Sequence, residues 1–149
     1  MWTSGTKSLA CCLALLAIAG CAGNSKATSE SQAGISGPEW RLESYGPLDS
    51  ATSVPDAIEI TILVNDSREV SGSSGCNTYR GSCTVNGQSI RFASISSTKR
   101  ACPDPPEVMK LERQFLTALA EITRYEINDN VLTLFAREGR GLVFRRGNS

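Results

Sequence analysis

The chain has 149 residues, with 15 acidic and 15 basic side chains, six cysteines and no histidine. Balanced charge without a block of one sign disfavours nucleic acid as a partner, since binding it needs a clustered basic face. The absence of histidine excludes Ser-His-Asp and Cys-His catalysis and removes the most common zinc ligand, so neither a metal ion nor a cofactor is expected.

The N-terminal segment has the pattern of a bacterial lipoprotein signal peptide. Lys7 supplies a basic start, residues 9–19 form an apolar run, and the sequence IAGC that ends at Cys21 resembles a lipobox. In this interpretation residues 1–20 are removed, and the thiol of Cys21 carries a lipid that anchors the protein to a membrane. The apolar run is shorter than the ~20 residues that a membrane-spanning helix needs, which favours the lipid anchor.

A polar segment follows the predicted anchor. Residues 22–37 are rich in serine, alanine and glycine without apolar periodicity, so we expect residues 21–37 to be a lipidated cysteine and a flexible tether of roughly 20–25 Å. Ala22 follows the cysteine in place of the aspartate that retains lipoproteins in the inner membrane, which predicts the outer membrane, facing the periplasm. Residues 38–149 have the length of one domain, which we expect to be monomeric.

Short strands are predicted in the first half of this domain. Apolar and polar residues alternate around residue 41 and again over residues 58–64, as in strands that bury one face. The predicted core positions are Trp40, Leu42, Ile58, Ile60, Ile62 and Val64. The glycine-rich passage at 70–81 indicates tight bends or close backbone approach.

Two hairpins are predicted from turn dipeptides. The Asn-Gly pair at 86–87 suits a type I′ turn; a turn there pairs Cys83 with Ile90 and directs Cys83, Ile90 and Phe92 to the core. A turn at 129–130 places two further strands in the same way, and a last strand follows around a turn near residue 139. The apolar faces of these later strands are Tyr125, Ile127, Leu132, Leu134, Leu142 and Phe144.

One amphipathic helix is predicted between the hairpins. Asp104 is the expected N-cap, with Pro105 at the first helical position and Glu107 at the third. Apolar residues then recur at helical spacing, at Val108, Leu111, Phe115, Leu116, Leu119 and Ile122, and the polar face is assigned Lys110, Glu112, Arg113 and Glu121. A helix of this kind packed on an antiparallel sheet gives an α+β fold.

Three cysteines remain for the folded domain, Cys76, Cys83 and Cys102. An exported protein meets an oxidising compartment, so one disulfide and one remaining thiol are expected. The hairpin places Cys83 on the buried face, which favours a small core residue over a reactive redox sensor.

Several segments resemble, in order and spacing, the META domain of HslJ-type bacterial envelope lipoproteins. They are GCNTYRGS, the Asn-Gly hairpin, STKRACPDP, FLTAL, RYEINDNVLTL and GLVF, and together they span about residues 38–146. The resemblance implies a compact, barrel-like antiparallel sheet with one helix. It also implies a link to heat-shock response and antibiotic tolerance, with no defined reaction.

The resemblance further implies a disulfide between Cys76 and Cys102, which leaves Cys83 as a buried free thiol. Cys83 stands where the family usually has an aromatic residue. Lys99 and Arg100 replace the family's usual methionine and add charge.

Three polar residues are candidate contacts for a ligand or partner: Asn77, Lys99 and Arg100. Asn77 follows a cysteine in a glycine-rich segment, where asparagine also commonly binds the local backbone. Lys99 and Arg100 suit a phosphate or an anionic lipid headgroup, although adjacent basic residues are commonly only solvated.

The function expected from these features is binding at the cell envelope without catalysis, with an envelope protein, a small amphiphile or the cell-wall surface as partner. The alternative is a histidine-free envelope enzyme or a carrier of small amphiphiles or lipids. The serine-containing run at 72–75 lacks the G-x-S-x-G spacing of a hydrolase nucleophile.

Overall fold

The computed structural model describes residues 34–147. The predicted signal peptide, Cys21 and residues 22–33 of the predicted tether lie outside the described residues. Within the described part, no helix is long and apolar enough to cross a membrane.

Nine strands and one helix make up this part of the chain. They are β1 (Glu39–Pro47), β2 (Thr52–Ser53), β3 (Thr61–Val64), β4 (Glu69–Ser73), β5 (Thr78–Asn86), β6 (Ser89–Ser97), α1 (Val108–Glu121), β7 (Arg124–Asn128), β8 (Val131–Phe135) and β9 (Arg140–Arg146).

The strands form one antiparallel sheet in the order β2-β1-β3-β4-β5-β6-β7-β8-β9, and β1 also pairs with β9. This last pairing closes the sheet into a ring. The ring is not a regular barrel, because β6 and β7 are joined at a single pair of residues, Ser89 with Arg124. The predicted α+β fold is confirmed.

Helix α1 packs on the core of the sheet through its apolar side. Phe115 meets Tyr79 of β5 edge-on, with ring centroids 5.5 Å apart, and meets Phe144 of β9 at 6.5 Å. Edge-to-face aromatic pairs at these distances add to the stability that apolar burial provides. The helix therefore links the two sides of the ring across a shared core.

The helix begins later than predicted. Its first residue is Val108, and the N-cap is Glu107, which makes no side-chain capping bond. The Val108 amide donates to the Pro105 carbonyl, so residues 105–107 form a turn that precedes the helix. Asp104 is consequently not the N-cap. The position of Glu112 is also corrected: this residue is buried, not solvent-facing.

The first hairpin differs from its predicted register by two residues. The turn lies at Gly87 and Gln88, so that Asn86 pairs with Ser89 and Cys83 with Phe92. Of the two turn residues, only Gly87 has a positive φ, 57°. This fits a type II′ turn, which requires a positive φ at one central residue, whereas type I′ requires it at both. Side chains alternate between the two faces of a strand, so a shift of two residues in the pairing leaves each side chain on its predicted face of the sheet. The face predicted to form the core in this hairpin is accordingly buried.

The second hairpin has the predicted turn. Asn128 pairs with Val131 around residues 129–130, and Asp129 supplies a positive φ of 53°. Leu132 and Leu134 are fully buried, and their partners Ile127 and Tyr125 are half-buried. The alternation of β7 and β8 therefore matches the sequence prediction.

The folded region begins before residue 38. Ile35 is 1% exposed, and its carbonyl accepts a hydrogen bond from Nε1 of the buried Trp40. Gly37 donates its amide to the Val64 carbonyl at 3.0 Å. Residues 35–37 thus pack against the sheet, whereas the sequence placed them in the flexible tether, because a single isoleucine among polar residues gives no periodic signal.

Candidate functional site

A buried polar cluster joins the helix to the segment between β4 and β5. Glu112 of α1 is 6% exposed, Asn77 2% and Ser74 0%. The Glu112 carboxylate accepts three hydrogen bonds. The donors are the Ser74 hydroxyl at 2.7 Å, the backbone N–H of Asn77 at 2.9 Å and the side-chain Nδ2 of Asn77 at 2.9 Å. A buried carboxylate is tolerated only when it is hydrogen-bonded in this way.

The side chain of Asn77 is fully used within the protein. Its Oδ1 accepts from Thr98 Oγ1 at 2.7 Å and from the Arg100 amide at 2.8 Å. Its Nδ2 donates to Glu112 and to the Arg100 carbonyl at 3.1 Å. Since all four hydrogen-bonding positions of the amide are occupied, Asn77 has a structural role and presents no free group to a ligand.

A disulfide borders the cluster. Cys76 and Cys102 are bridged, with Cα atoms 5.8 Å apart, which is the pairing that the family resemblance implied. Arg100 donates from Nη2 to the Cys76 carbonyl at 3.0 Å, so its guanidinium braces this connection. Lys99 is exposed to solvent. The fold brings Asn77 into hydrogen-bond contact with Arg100, 23 residues away in the chain, but only Lys99 and Arg100 reach the surface.

Ser74 and Glu112 have the spacing of a nucleophile and a base. The pair is nevertheless enclosed, since Ser74 has no exposed surface and its hydroxyl also lies 2.9 Å from the Asn77 carbonyl. A substrate carbonyl cannot approach the hydroxyl in this arrangement. The cluster accordingly positions α1 against the sheet.

Cys83 is a free thiol on the buried face of β5. Burial raises the pKa of the Cys83 thiol, and the positive charge of Arg68 opposes this shift. The protonated thiol is therefore favoured in the folded state, and low thiolate content together with low exposure makes a cysteine unreactive.

We expect Cys83 to react with a thiol reagent only after unfolding, as measured by mass spectrometry of native and urea-treated protein. Rapid labelling of the native protein would contradict this prediction.

Cys83→Ala should lower the free energy of unfolding by about 1 kcal/mol, as for the loss of a small buried group. Because the pKa of the Cys83 thiol is raised in the folded protein, the contribution of the protonated thiol to the free energy of unfolding is present at neutral pH. This contribution is lost as the pH rises through the folded-state pKa.

An open groove of about 1190 Å³ lies on the outer face of β3 to β6. Hydroxyl groups dominate it, from Ser71, Ser73, Thr78, Ser94, Ser96 and Thr98. Glu59 and Glu69 lie on the side of β3 and β4, and Arg80 lies on β5. A groove with this lining is suited to a polar partner that exchanges hydrogen bonds with hydroxyl, carboxylate and guanidinium groups.

Close strand packing shapes the floor of the groove. A Cβ atom at Gly72 would lie 2.1 Å from the Thr61 carbonyl oxygen, so only glycine permits this approach of β4 to β3. Opposite Gly72, Tyr79 passes beneath β4 and donates its hydroxyl to the same carbonyl at 2.9 Å. Thr61 itself, at 5% exposure, lies on the floor.

The sequence interpretation did not identify this groove. Its only signal is the alternation of small polar residues with core residues along three strands. Within residues 34–147, no group of cysteine, aspartate and glutamate side chains is arranged to hold a metal ion.

A family model described as the META domain matches residues 33–149. No curated protein matches the chain. The NMR structure of a protein from Burkholderia xenovorans is similar, with 29% identity and a TM-score of 0.67 over 77% of this chain and 85% of that one.

A more distant likeness concerns the fold alone. The crystal structure of a DUF4847 family protein from Bacteroides vulgatus is 16% identical, with a TM-score of 0.57, and the match covers 77% of this chain and 96% of that chain.

Proposed function

Because this chain belongs to the META domain family, we propose that it is a non-catalytic binding domain of a bacterial envelope lipoprotein that supports tolerance of heat or antibiotic stress. In this proposal Cys21 carries the lipid. The domain is held on the outer membrane, facing the periplasm, and acts by binding rather than by turnover.

The observation that supports binding is the hydroxyl-lined groove on β3 to β6. It is open, and most of its lining residues carry hydroxyl or charged groups. Its carboxylates, guanidinium and hydroxyls can exchange hydrogen bonds with the polar surface of an envelope protein or of the cell wall. Because residues 35–37 pack on the sheet, the tether is shorter than the sequence predicted, and at roughly 20 Å it would confine this surface near one membrane and raise its effective concentration for partners there.

The proposal is tested in a strain in which deletion of the gene causes sensitivity to heat or to envelope-targeting antibiotics. Cys21→Ala should abolish labelling with radioactive fatty acid and should rescue growth poorly at equal protein abundance. Ser96→Tyr, which fills the groove, should also rescue poorly. Ser89→Tyr is the matched control, because Ser89 is exposed on the same strand but does not line the groove, and it should rescue fully.

The outcomes separate the parts of the proposal. Full rescue by the unanchored form would refute the role of the anchor, and full rescue by Ser96→Tyr would refute the groove. A measurable turnover that is lost with one polar substitution in a stably folded protein would favour the histidine-free enzyme.

A further inference from the structure

A second, smaller concavity lies at the C-terminal end of α1, away from the groove residues. It has a volume of about 350 Å³ and brings together Arg91 of β6, the helix end at Glu121, the β8–β9 turn at Arg137 and Glu138, and Arg140 of β9. Three arginines from two separate parts of the chain, β6 and the β8–β9 hairpin, therefore line one pocket. They are unrelated to Lys99 and Arg100, which the sequence suggested for anion binding.

The charges in this pocket are only partly compensated. Arg140 is paired with Glu121, with Nη2 2.6 Å from Oε2. The four ion pairs of the described residues include neither Arg91 nor Arg137. Two arginines of the lining thus have no carboxylate within ion-pair distance, and Glu138 is the remaining acidic residue in the lining.

We propose that this pocket binds a phosphate-type anion, with Arg91 and Arg137 as its principal donors. Arginine presents a planar fork of donors that matches phosphate oxygens and binds them in bidentate fashion. The C-terminal end of α1 carries about half a negative charge, which opposes the binding of an anion. We therefore expect the anion to be held by direct hydrogen bonds from Arg91 and Arg137 rather than by a net positive charge of the pocket. The volume is at the small end of ligand pockets, which run from about 300 Å³, and it suits a single phosphate or phosphodiester group.

The source of the phosphate group is either a soluble phosphate or the headgroup of an anionic lipid. The two are distinguished by chemistry, since inorganic phosphate is present at neutral pH as a mixture of monoanion and dianion and a lipid phosphodiester carries a single negative charge. Glycerophosphoglycerol, the soluble headgroup of phosphatidylglycerol, represents the second. The proposal concerns a site separate from the groove and does not depend on the groove having a ligand.

The test is a titration of each probe against the full protein in neutral detergent, followed by the phosphorus NMR line width of the probe. Arg91→Gln and Arg137→Gln should each weaken binding about fivefold, the upper range for a solvent-exposed ion pair. Arg113→Gln is the matched control, because it removes one exposed guanidinium from α1 outside the pocket, and it should leave binding unchanged. Binding should weaken as ionic strength rises.

One variant should act in the opposite direction. Glu121→Gln releases Arg140 from its ion pair and adds a third free guanidinium, so it should tighten binding of the same probe about fivefold. Tighter binding of inorganic phosphate than of glycerophosphoglycerol would identify a soluble phosphate, and equal or tighter binding of glycerophosphoglycerol would identify a lipid headgroup. Absence of binding to both probes, or equal losses in Arg113→Gln and the pocket variants, would overturn the proposal.

Discussion

Glu112→Ala should lower the free energy of unfolding by about 3–5 kcal/mol. The substitution removes the acceptor of three buried hydrogen bonds and leaves two Asn77 N–H groups without that acceptor, whereas the Ser74 hydroxyl still has the Asn77 carbonyl 2.9 Å away. Each unsatisfied buried group costs about 1–3 kcal/mol. The loss should appear in urea unfolding followed by the fluorescence of Trp40, which has no exposed surface in the folded protein.

Two further variants separate the hydrogen bonds from the loss of an acidic residue. Glu107→Ala removes an exposed glutamate at the N-cap of the same helix that makes no capping bond, and it should change stability by less than about 0.5 kcal/mol. Glu112→Gln keeps the volume and one acceptor oxygen, so its effect should lie between those of the two alanine variants. Equal effects of Glu112→Ala and Glu107→Ala would show that the cluster contributes nothing to stability.

The strand faces could be predicted from sequence because alternation is a local property of the backbone. Cys83, Ile90 and Phe92 were assigned to the core correctly even though the turn between their strands is displaced. A displacement of two residues leaves every side chain on its original face. The turn itself could not be placed as reliably, since an Asn-Gly pair is compatible with more than one turn type.

The burial of Glu112 had a signal that the sequence interpretation missed. Glu112 lies four residues after Val108 and three before Phe115, which places it on the apolar stripe of the helix. A glutamate in that position indicates a buried partner. The partner could not be identified from spacing alone, because Asn77 is 35 residues away and reaches the helix only through the fold of the sheet.

The two concave surfaces were beyond sequence prediction for a related reason. The groove depends on how closely β3, β4 and β5 approach one another, and the arginine pocket depends on how the end of α1 meets the β8–β9 turn. Such contacts join residues that are distant in sequence, and no periodicity records them. The lipid anchor on Cys21 stays a prediction, since it rests on the N-terminal motif outside the described residues.

Replacing both Cys76 and Cys102 by alanine should lower the free energy of unfolding by about 3.5 kcal/mol. The bridge joins residues separated by 26 positions, and closing a loop of that length restricts the unfolded chain by roughly this amount in the chain-entropy model. The measurement is urea unfolding of the double variant beside the oxidised wild type. Reduced wild-type protein provides the control, because it loses the cross-link without losing any side chain and should show a similar decrease.

The disulfide and the Glu112 cluster should not act independently. Both hold the segment around residue 100 against the β4–β5 connection, since Asn77 bonds to Arg100 and to Glu112 while the neighbouring Cys76 is bridged to Cys102. Groups that share a partner show coupling of about 0.5–3 kcal/mol in double-mutant cycles. In the absence of the bridge, the segment that carries Arg100 is less restrained, so Glu112→Ala should then cost less than it does in the oxidised protein. Additive losses would instead show that the cluster fixes the helix without help from the cross-link.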